Sequence, residues 1–210
     1  MSDQIRVLFV DDNVEYVDLA TDYFEGNVDG INLVGEPDVA EAYAAHARDR
    51  YRVRTANSGE GALDALDDEV DVVLLDRRMP DLVGDDVLAE IRDRGLDVRV
   101  AMVTAVDADF DIIDMEFDDY VVKPVSRDEL LGTIDRMLRC ASYERNLREY
   151  YRVSRTLATL RSTKDPNELA ENDEVQELAA RREDLQATLS AAAERLADED
   201  FETLFRDLDR

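Results

Sequence analysis

The first 125 residues of the chain alternate short, mostly apolar runs with segments of helical periodicity. Continuous apolar runs are typical of strands that are buried on both faces of a parallel sheet. The predicted strands are Val7–Val10, Tyr51–Thr55, Val72–Leu75, Val98–Val103 and Tyr120–Val122, and the predicted helices between them cover 14–25, 58–67, 85–94 and 109–117. This alternation predicts right-handed crossovers and an α/β fold with a doubly wound sheet.

Residues 26–50 do not follow this alternation. They predict a loop, a short apolar run at 31–34 and a helix that begins at Pro37, since proline is favourable in a first helical turn. We interpret 26–50 as an inserted surface segment, because insertions in loops are well tolerated.

Beyond Pro124 the pattern becomes that of long helices. Ser126 and Glu129 form a capping box, and the helix they begin is predicted to reach Ser162. Its expected buried positions are Leu130, Ile134, Met137, Ala141, Leu147, Tyr150, Ser154 and Leu157.

A second long helix follows a turn at 163–167. Its apolar positions repeat at the spacing of a coiled coil, with one interruption at Arg182: Val175, Leu178, Leu185, Leu189, Ala192 and Leu196. A cap at Asp198 or Asp200 predicts a separate terminal helix over 201–208. The tail is therefore predicted to be an α-helical hairpin with a short terminal helix.

The net charge of the chain is −27, and only two of its cations, Lys123 and Lys164, are lysines. Such a surface should repel nucleic acid. Abundant carboxylates with few lysines favour a salt-loving organism, where ionic strength screens the repulsion; an acidic face for a protein partner is the alternative. We find no membrane span or export signal. The single Cys140 is typical of a reducing compartment, so we expect a cytoplasmic protein.

Four of the predicted strands are followed at once by polar residues. Asp11 and Asp12 follow the first strand, Asp76 the third, Thr104 the fourth and Lys123 the fifth. In open α/β sheets ligands bind at the carboxyl ends of the strands, so these side chains should meet in one crevice. Alone, each has an ordinary explanation as a strand-end cap or a loop residue, but together they indicate a functional site.

The residue types indicate the chemistry of this site. Three carboxylates at one point repel each other and require a cation, and oxygen ligands without Cys or His favour Mg²⁺. A carboxylate can also attack phosphorus to form an acyl phosphate. A lysine and a hydroxyl would then stabilise the transferred group.

Residues 5–139 resemble the receiver domain of two-component response regulators. The resemblance is carried by the stretches Val7–Asn13, Leu74–Pro80 with Gly84, Val103–Ala105 and Asp119–Pro124. It implies the flavodoxin-like strand order 2-1-3-4-5, a receiver domain at 1–139 and an insertion at 26–50.

The resemblance also implies roles for individual residues. Asp76 would accept a phosphoryl group from a histidine kinase. Asp12 and Asp76 would bind Mg²⁺ directly with the backbone carbonyl of Arg78, while Asp11 would act mostly through water. The remaining roles are a switch pair (Thr104 and Tyr120), a phosphoryl contact (Lys123) and a cis peptide bond before Pro124.

Residues 140–210 are similar to the HalX domain, a helical module found with receivers in salt-loving archaea. The similarity lies in the stretches 147–151 and 200–205. It gives no mechanism for the output of the protein.

Two functions follow for the whole chain. In the first, a non-enzymatic signalling switch acts through its helical tail, which binds a second copy or an unknown downstream protein. In the alternative, the basic helix 141–164 contacts DNA in a transcriptional regulator. The tail shows no helix-turn-helix pattern, and this favours the first. An enzymatic output is not expected, since the tail has no histidine and no domain large enough for a pocket.

Overall fold

The computed structural model describes residues 4–25, 49–105 and 110–208, with residues 111 and 196–208 as backbone only. The elements predicted within the insertion lie outside the described residues. The chain divides into two compact units, residues 1–137 and 138–210.

Five parallel strands form the sheet of the first unit, in the order β2-β1-β3-β4-β5. The order confirms the prediction. The strands are β1 (Ile5–Val10), β2 (Tyr51–Ala56), β3 (Val72–Leu75), β4 (Arg99–Thr104) and β5 (Asp119–Val122). The central strand β3 is buried along its whole length, as its uninterrupted apolar sequence predicts.

Three helices of this unit lie where the periodicity predicted them. They are α1 (Val14–Glu25), α2 (Gly59–Ala65) and α3 (Gly84–Asp93). The hydroxyl of Ser58 caps α2 by accepting a hydrogen bond from the Gly61 N–H. Gly95 follows α3 with a φ of 66°, a left-handed conformation that favours glycine.

The prediction of a helix over 109–117 is wrong. Among the described residues this segment contains only a short 3₁₀ helix, Phe110–Ile112. Met115 and Phe117, two residues apart, both pack against the core, which is the spacing of an extended chain. The Arg92 side chain fixes this extended segment by donating to the carbonyls of Val98 and Glu116 and to the carboxylate of Asp118.

The remaining helices are α4 (Arg127–Thr163), α5 (Pro166–Ala170) and α6 (Asp173–Leu208). Ser126 caps α4 by accepting from the Glu129 N–H at 3.3 Å, as the capping box predicted. In the second unit, α4 and α6 pack as an antiparallel hairpin, with Arg181 donating to both carboxylate oxygens of Glu149. Val153, Leu157 and Leu185 form its apolar core.

Two details of the tail differ from the predictions. Val153, and not Ser154, is fully buried, because the apolar stripe of α4 shifts by one position within the hairpin. The break expected near Asp198 is absent, since α6 continues to Leu208. No glycine or proline occurs between 173 and 208, and an aspartate alone does not end a helix.

None of the helices in the described part of the chain combines the length and the apolar composition needed to cross a membrane.

Candidate functional site

The parallel register brings three carboxylates to one edge of the sheet. Val10 of β1 is paired with Leu75 of β3, so Asp11 and Asp76 follow neighbouring strand ends. Backbone hydrogen bonds fix both positions: the Asp76 N–H donates to the Val10 carbonyl at 2.8 Å and the Asp11 N–H to the Ala56 carbonyl at 3.1 Å. Carboxylate oxygens of Asp11, Asp12 and Asp76 all lie within 4.8 Å of one another.

The three carboxylates differ in their exposure to solvent. Asp11 is 1% exposed and Asp76 is 7% exposed, whereas Asp12 is on the surface. The cluster therefore has a buried floor and one side open to solvent. Oxygen ligands with an open side suit Mg²⁺, which retains several waters when it binds to proteins.

Lys123 contacts two of these carboxylates. Its Nζ lies 2.5 Å from Oδ2 of Asp11 and 3.4 Å from Oδ1 of Asp76. The backbone N–H of Lys123 donates to the Thr104 carbonyl at 2.8 Å, which ties the end of β5 to the end of β4. The Lys123–Pro124 peptide bond is cis, as the resemblance implied.

Burial raises the pKa of Asp76 above its ordinary value. The ammonium of Lys123 acts in the opposite direction, the charge of Asp11 raises the pKa further, and hydrogen bonds from Lys123 and Thr104 lower it. The ammonium of Lys123 thus compensates only part of the negative charge of the carboxylates at this site. A bound cation would complete the compensation.

The other predicted site residues occupy different surroundings. Thr104 is fully buried, and its hydroxyl hydrogen-bonds Asp76. Tyr120 packs against the apolar core, with its ring centroid 5.6 Å from that of Phe117. Arg78 lies in the loop after Asp76 with its side chain exposed.

Two residues of this site were missed by the sequence reasoning. Asn13 accepts hydrogen bonds from the first amides of α1, and its own N–H donates to Asp11 at 3.0 Å. Tyr16 lies one turn into α1, and the Nζ of Lys123 sits 4.6 Å from the centroid of its ring. Asparagine before a helical segment is a known N-cap signal, whereas nothing in the sequence pairs Tyr16 with Lys123.

The loop after Asp76 is held by close contacts of its backbone. The Gly84 N–H donates to the Arg77 carbonyl at 2.8 Å. A Cβ at Gly84 would lie 2.3 Å from the carbonyl oxygen of Asp76. The side chain of Arg77 is buried and forms two hydrogen bonds with Asp85. The phosphoacceptor candidate therefore lies in a loop fixed at several points.

Comparison with known families agrees with this geometry. The family described as "Response regulator receiver domain" matches residues 35–135, and the family described as "HalX domain" matches residues 139–205. This chain is a response regulator receiver domain joined to a HalX domain. The receiver match begins after Asp11 and Asp12, but β1, the strand that they follow, lies in the same sheet, next to β3.

Two relatives match this chain over about two thirds of its length. A Haloferax volcanii protein named "Putative transcriptional regulator" is 51% identical over 144 residues, which are 69% of this chain and 25% of that protein. The response regulator SaeR of Staphylococcus aureus is 30% identical over 136 residues, 63% of this chain and 50% of SaeR. The chain thus spans a quarter to a half of the length of these relatives.

A solved structure supports the fold. The CheY-like response regulator receiver domain protein of Methanospirillum hungatei superposes with a TM-score of 0.52 at 22% identity, covering 67% of this chain and 98% of that one. At this identity the likeness concerns the fold of the receiver domain alone.

Proposed function

We propose that Asp76 of this response regulator accepts a phosphoryl group from a histidine kinase. The observation that carries the proposal is the position of its buried carboxylate, which shares one site with Asp11, Asp12 and the ammonium of Lys123. In the reaction, an Asp76 carboxylate oxygen forms a bond to phosphorus. The bond between phosphorus and the donor atom breaks, and the donor leaves with that electron pair.

The neighbouring residues stabilise the charge of the transferred group. Asp11, Asp12 and Asp76, with the carbonyl of Arg78, would hold Mg²⁺, which supplies charge neutralisation at the phosphoryl oxygens. Lys123 already lies 3.4 Å from Asp76, where its ammonium can contact a phosphoryl oxygen. In this proposal Asp11 positions Lys123 through their 2.5 Å ion pair.

Thr104 and Tyr120 form the switch in this proposal. The Thr104 hydroxyl hydrogen-bonds Asp76, so a phosphoryl group on Asp76 offers it a new acceptor. Movement of Thr104 toward that acceptor vacates space in the buried core, and Tyr120 follows. A local change in charge thereby selects between two packed states.

Removal of an Mg²⁺ ligand tests the metal site. Wild-type protein in molar KCl is expected to gain the mass of one phosphoryl group from acetyl phosphate with Mg²⁺, and none when EDTA is present. Asp12→Ala should weaken Mg²⁺ binding at least about tenfold. Residues that only orient metal ligands already contribute roughly ten- to a hundredfold to metal affinity, and Asp12 is proposed as a ligand itself. Isothermal titration with Mg²⁺ measures the loss. Equal affinity in the variant would remove Asp12 from the ligand set.

The HalX domain is proposed to bind a second copy of the chain. Tyr151 is 65% exposed on α4, beside the exposed Arg152 and Arg155. Residues 141–164, which cover the end of α4 and Lys164 just after it, carry six basic and two acidic side chains, whereas residues 173–195 of α6 carry six acidic and three basic ones. In a pair of hairpins, α4 of one copy can therefore face α6 of the other.

Light scattering on the full chain in molar KCl, with and without acetyl phosphate, tests this association. We expect twice the chain mass in at least the phosphorylated state, and Tyr151→Glu should return it to the monomer. Leu19→Glu introduces the same charged side chain at an exposed apolar position of α1 and should leave the mass of the assembly unchanged. A monomer under every condition would leave a different downstream protein as the partner of the tail.

DNA binding through α4 is not favoured. A helix-turn-helix joins two helices by a short turn at about 90–120°, whereas α4 packs with α6 as an antiparallel hairpin and the helix between them has only five residues. The receiver and HalX domains indicate a signalling protein, and the absence of an enzymatic output stays a prediction. The cytoplasmic location expected from the single Cys140 stays a prediction.

A further inference from the structure

The ammonium of Lys123 has a third neighbour besides the two carboxylates. The ring of Tyr16 lies under it, with 4.6 Å between Nζ and the ring centroid. This distance is within the range of a cation–π interaction, in which the negative face of the ring attracts the cation. Lysine has a flexible four-carbon stem, so contacts at its end decide where the charge is held.

Tyr16 is itself held by contacts of its backbone, its ring and its hydroxyl. Its backbone N–H donates to the Asn13 carbonyl at 3.0 Å, within the capped first turn of α1. Its ring packs at 5.8 Å from the ring of Phe9 in β1. Its hydroxyl receives a hydrogen bond from the backbone of Val125, two residues after Lys123.

The phenol stays neutral, so it presents a ring and not a negative charge. Burial raises the pKa of Tyr16 to about 12, with a further contribution from the charge of Asp11. Tyr16 therefore connects three parts of the structure beside the Lys123 ammonium. It belongs to α1, its ring packs on Phe9 of β1, and its hydroxyl is bonded by the segment after β5.

We propose that Tyr16 is the positioning residue that holds Lys123 between Asp11 and Asp76, so that its ammonium faces the phosphoryl group as that group reaches Asp76. The inference rests on the proposed phosphoacceptor function. The ammonium lies 2.5 Å from Asp11 and 3.4 Å from Asp76 at the same time, and the ring of Tyr16 is the third contact that keeps it between them.

The rate of phosphorylation by phosphoramidate, at saturating Mg²⁺ in molar KCl, tests the role of the ring. Tyr16→Leu should slow the reaction roughly three- to tenfold, the range that corresponds to a cation–π contact of intermediate burial. Tyr16→Phe keeps the ring and should recover most of the rate. Tyr23→Leu removes a tyrosine from the same helix and serves as the matched control.

A double-mutant cycle separates positioning from general packing. In a Lys123→Met background, Tyr16→Leu should cause no further loss of rate, because the ring then has no ammonium to hold. If Tyr16→Leu does not fold, as judged by thermal melting, Tyr16→Met removes the ring with an unbranched side chain.

The outcomes distinguish this inference from the proposed function. No labelling of the wild-type protein would overturn the phosphoacceptor function itself. Normal labelling of the wild type with equal losses from Tyr16→Leu in both backgrounds, or with no loss at all, would overturn the role of Tyr16 alone.

Discussion

Asp76→Asn is expected to abolish phosphorylation completely. The amide nitrogen and oxygen of asparagine cannot form the acyl phosphate, and the substitution also removes one oxygen from the carboxylate cluster. After incubation with acetyl phosphate and Mg²⁺ in molar KCl, the intact mass of this variant should remain that of the unmodified chain. Wild-type protein treated in parallel should gain one phosphoryl group.

Asp97→Asn is the matched control for this experiment. It makes the same chemical change at an exposed residue that precedes β4, at the opposite end of the sheet from the site. Its labelling should equal that of the wild type. A phosphoryl gain in Asp76→Asn, located elsewhere by peptide mapping, would transfer the acceptor role to another residue.

Gly84→Ala should destabilise the receiver domain strongly. The new methyl group would lie 2.3 Å from the Asp76 carbonyl oxygen and 2.8 Å from Cα of Arg77. Both are backbone atoms that cannot rotate away. Overpacking costs about 1–3 kcal/mol where side chains can adjust, so we expect about 3 kcal/mol or more here. For a chain of this size the melting temperature should then fall by roughly 6–12 °C.

Gly132→Ala provides the opposite result in the same chain. No atom lies within 4 Å of a Cβ at Gly132, which is inside α4. The change should stabilise the helix by roughly 0.5–1 kcal/mol, because glycine loses more conformational freedom on folding than alanine does. Thermal melting of both variants in molar KCl measures the pair. Equal melting temperatures would show that the loop after Asp76 moves to admit the methyl group.

The sheet and the positions of the candidate site residues could be predicted from the sequence for one physical reason. A strand buried on both faces must be apolar throughout, so the first polar residue marks both the end of the strand and the edge where ligands bind. Asp11, Asp76 and Lys123 were found in this way. Their roles in phosphoryl transfer stay predictions until they are measured.

The errors arose where tertiary contacts decide the structure. Asp111, Ile112 and Ile113 look like part of an amphipathic helix, but the contacts of Arg92 hold the following segment extended. Near Ser154, hairpin packing chooses between two neighbouring stripes of α4, and the sequence permits both. Tyr16 could not be found because its partner Lys123 lies far away in the chain.

The contacts of Arg92 also set a limit on local opening in the receiver domain. Asp118 accepts hydrogen bonds from Arg92, Arg99 and the backbone of Val100, and its own N–H donates to the Val100 carbonyl. The exposed Phe110 and Ile113 lie before this anchor and have few apolar contacts to lose. Local opening that begins at Phe110 can therefore spread only as far as Asp114, because Met115 packs against the core and Arg92 holds the carbonyl of Glu116, so β5 can stay paired with β4.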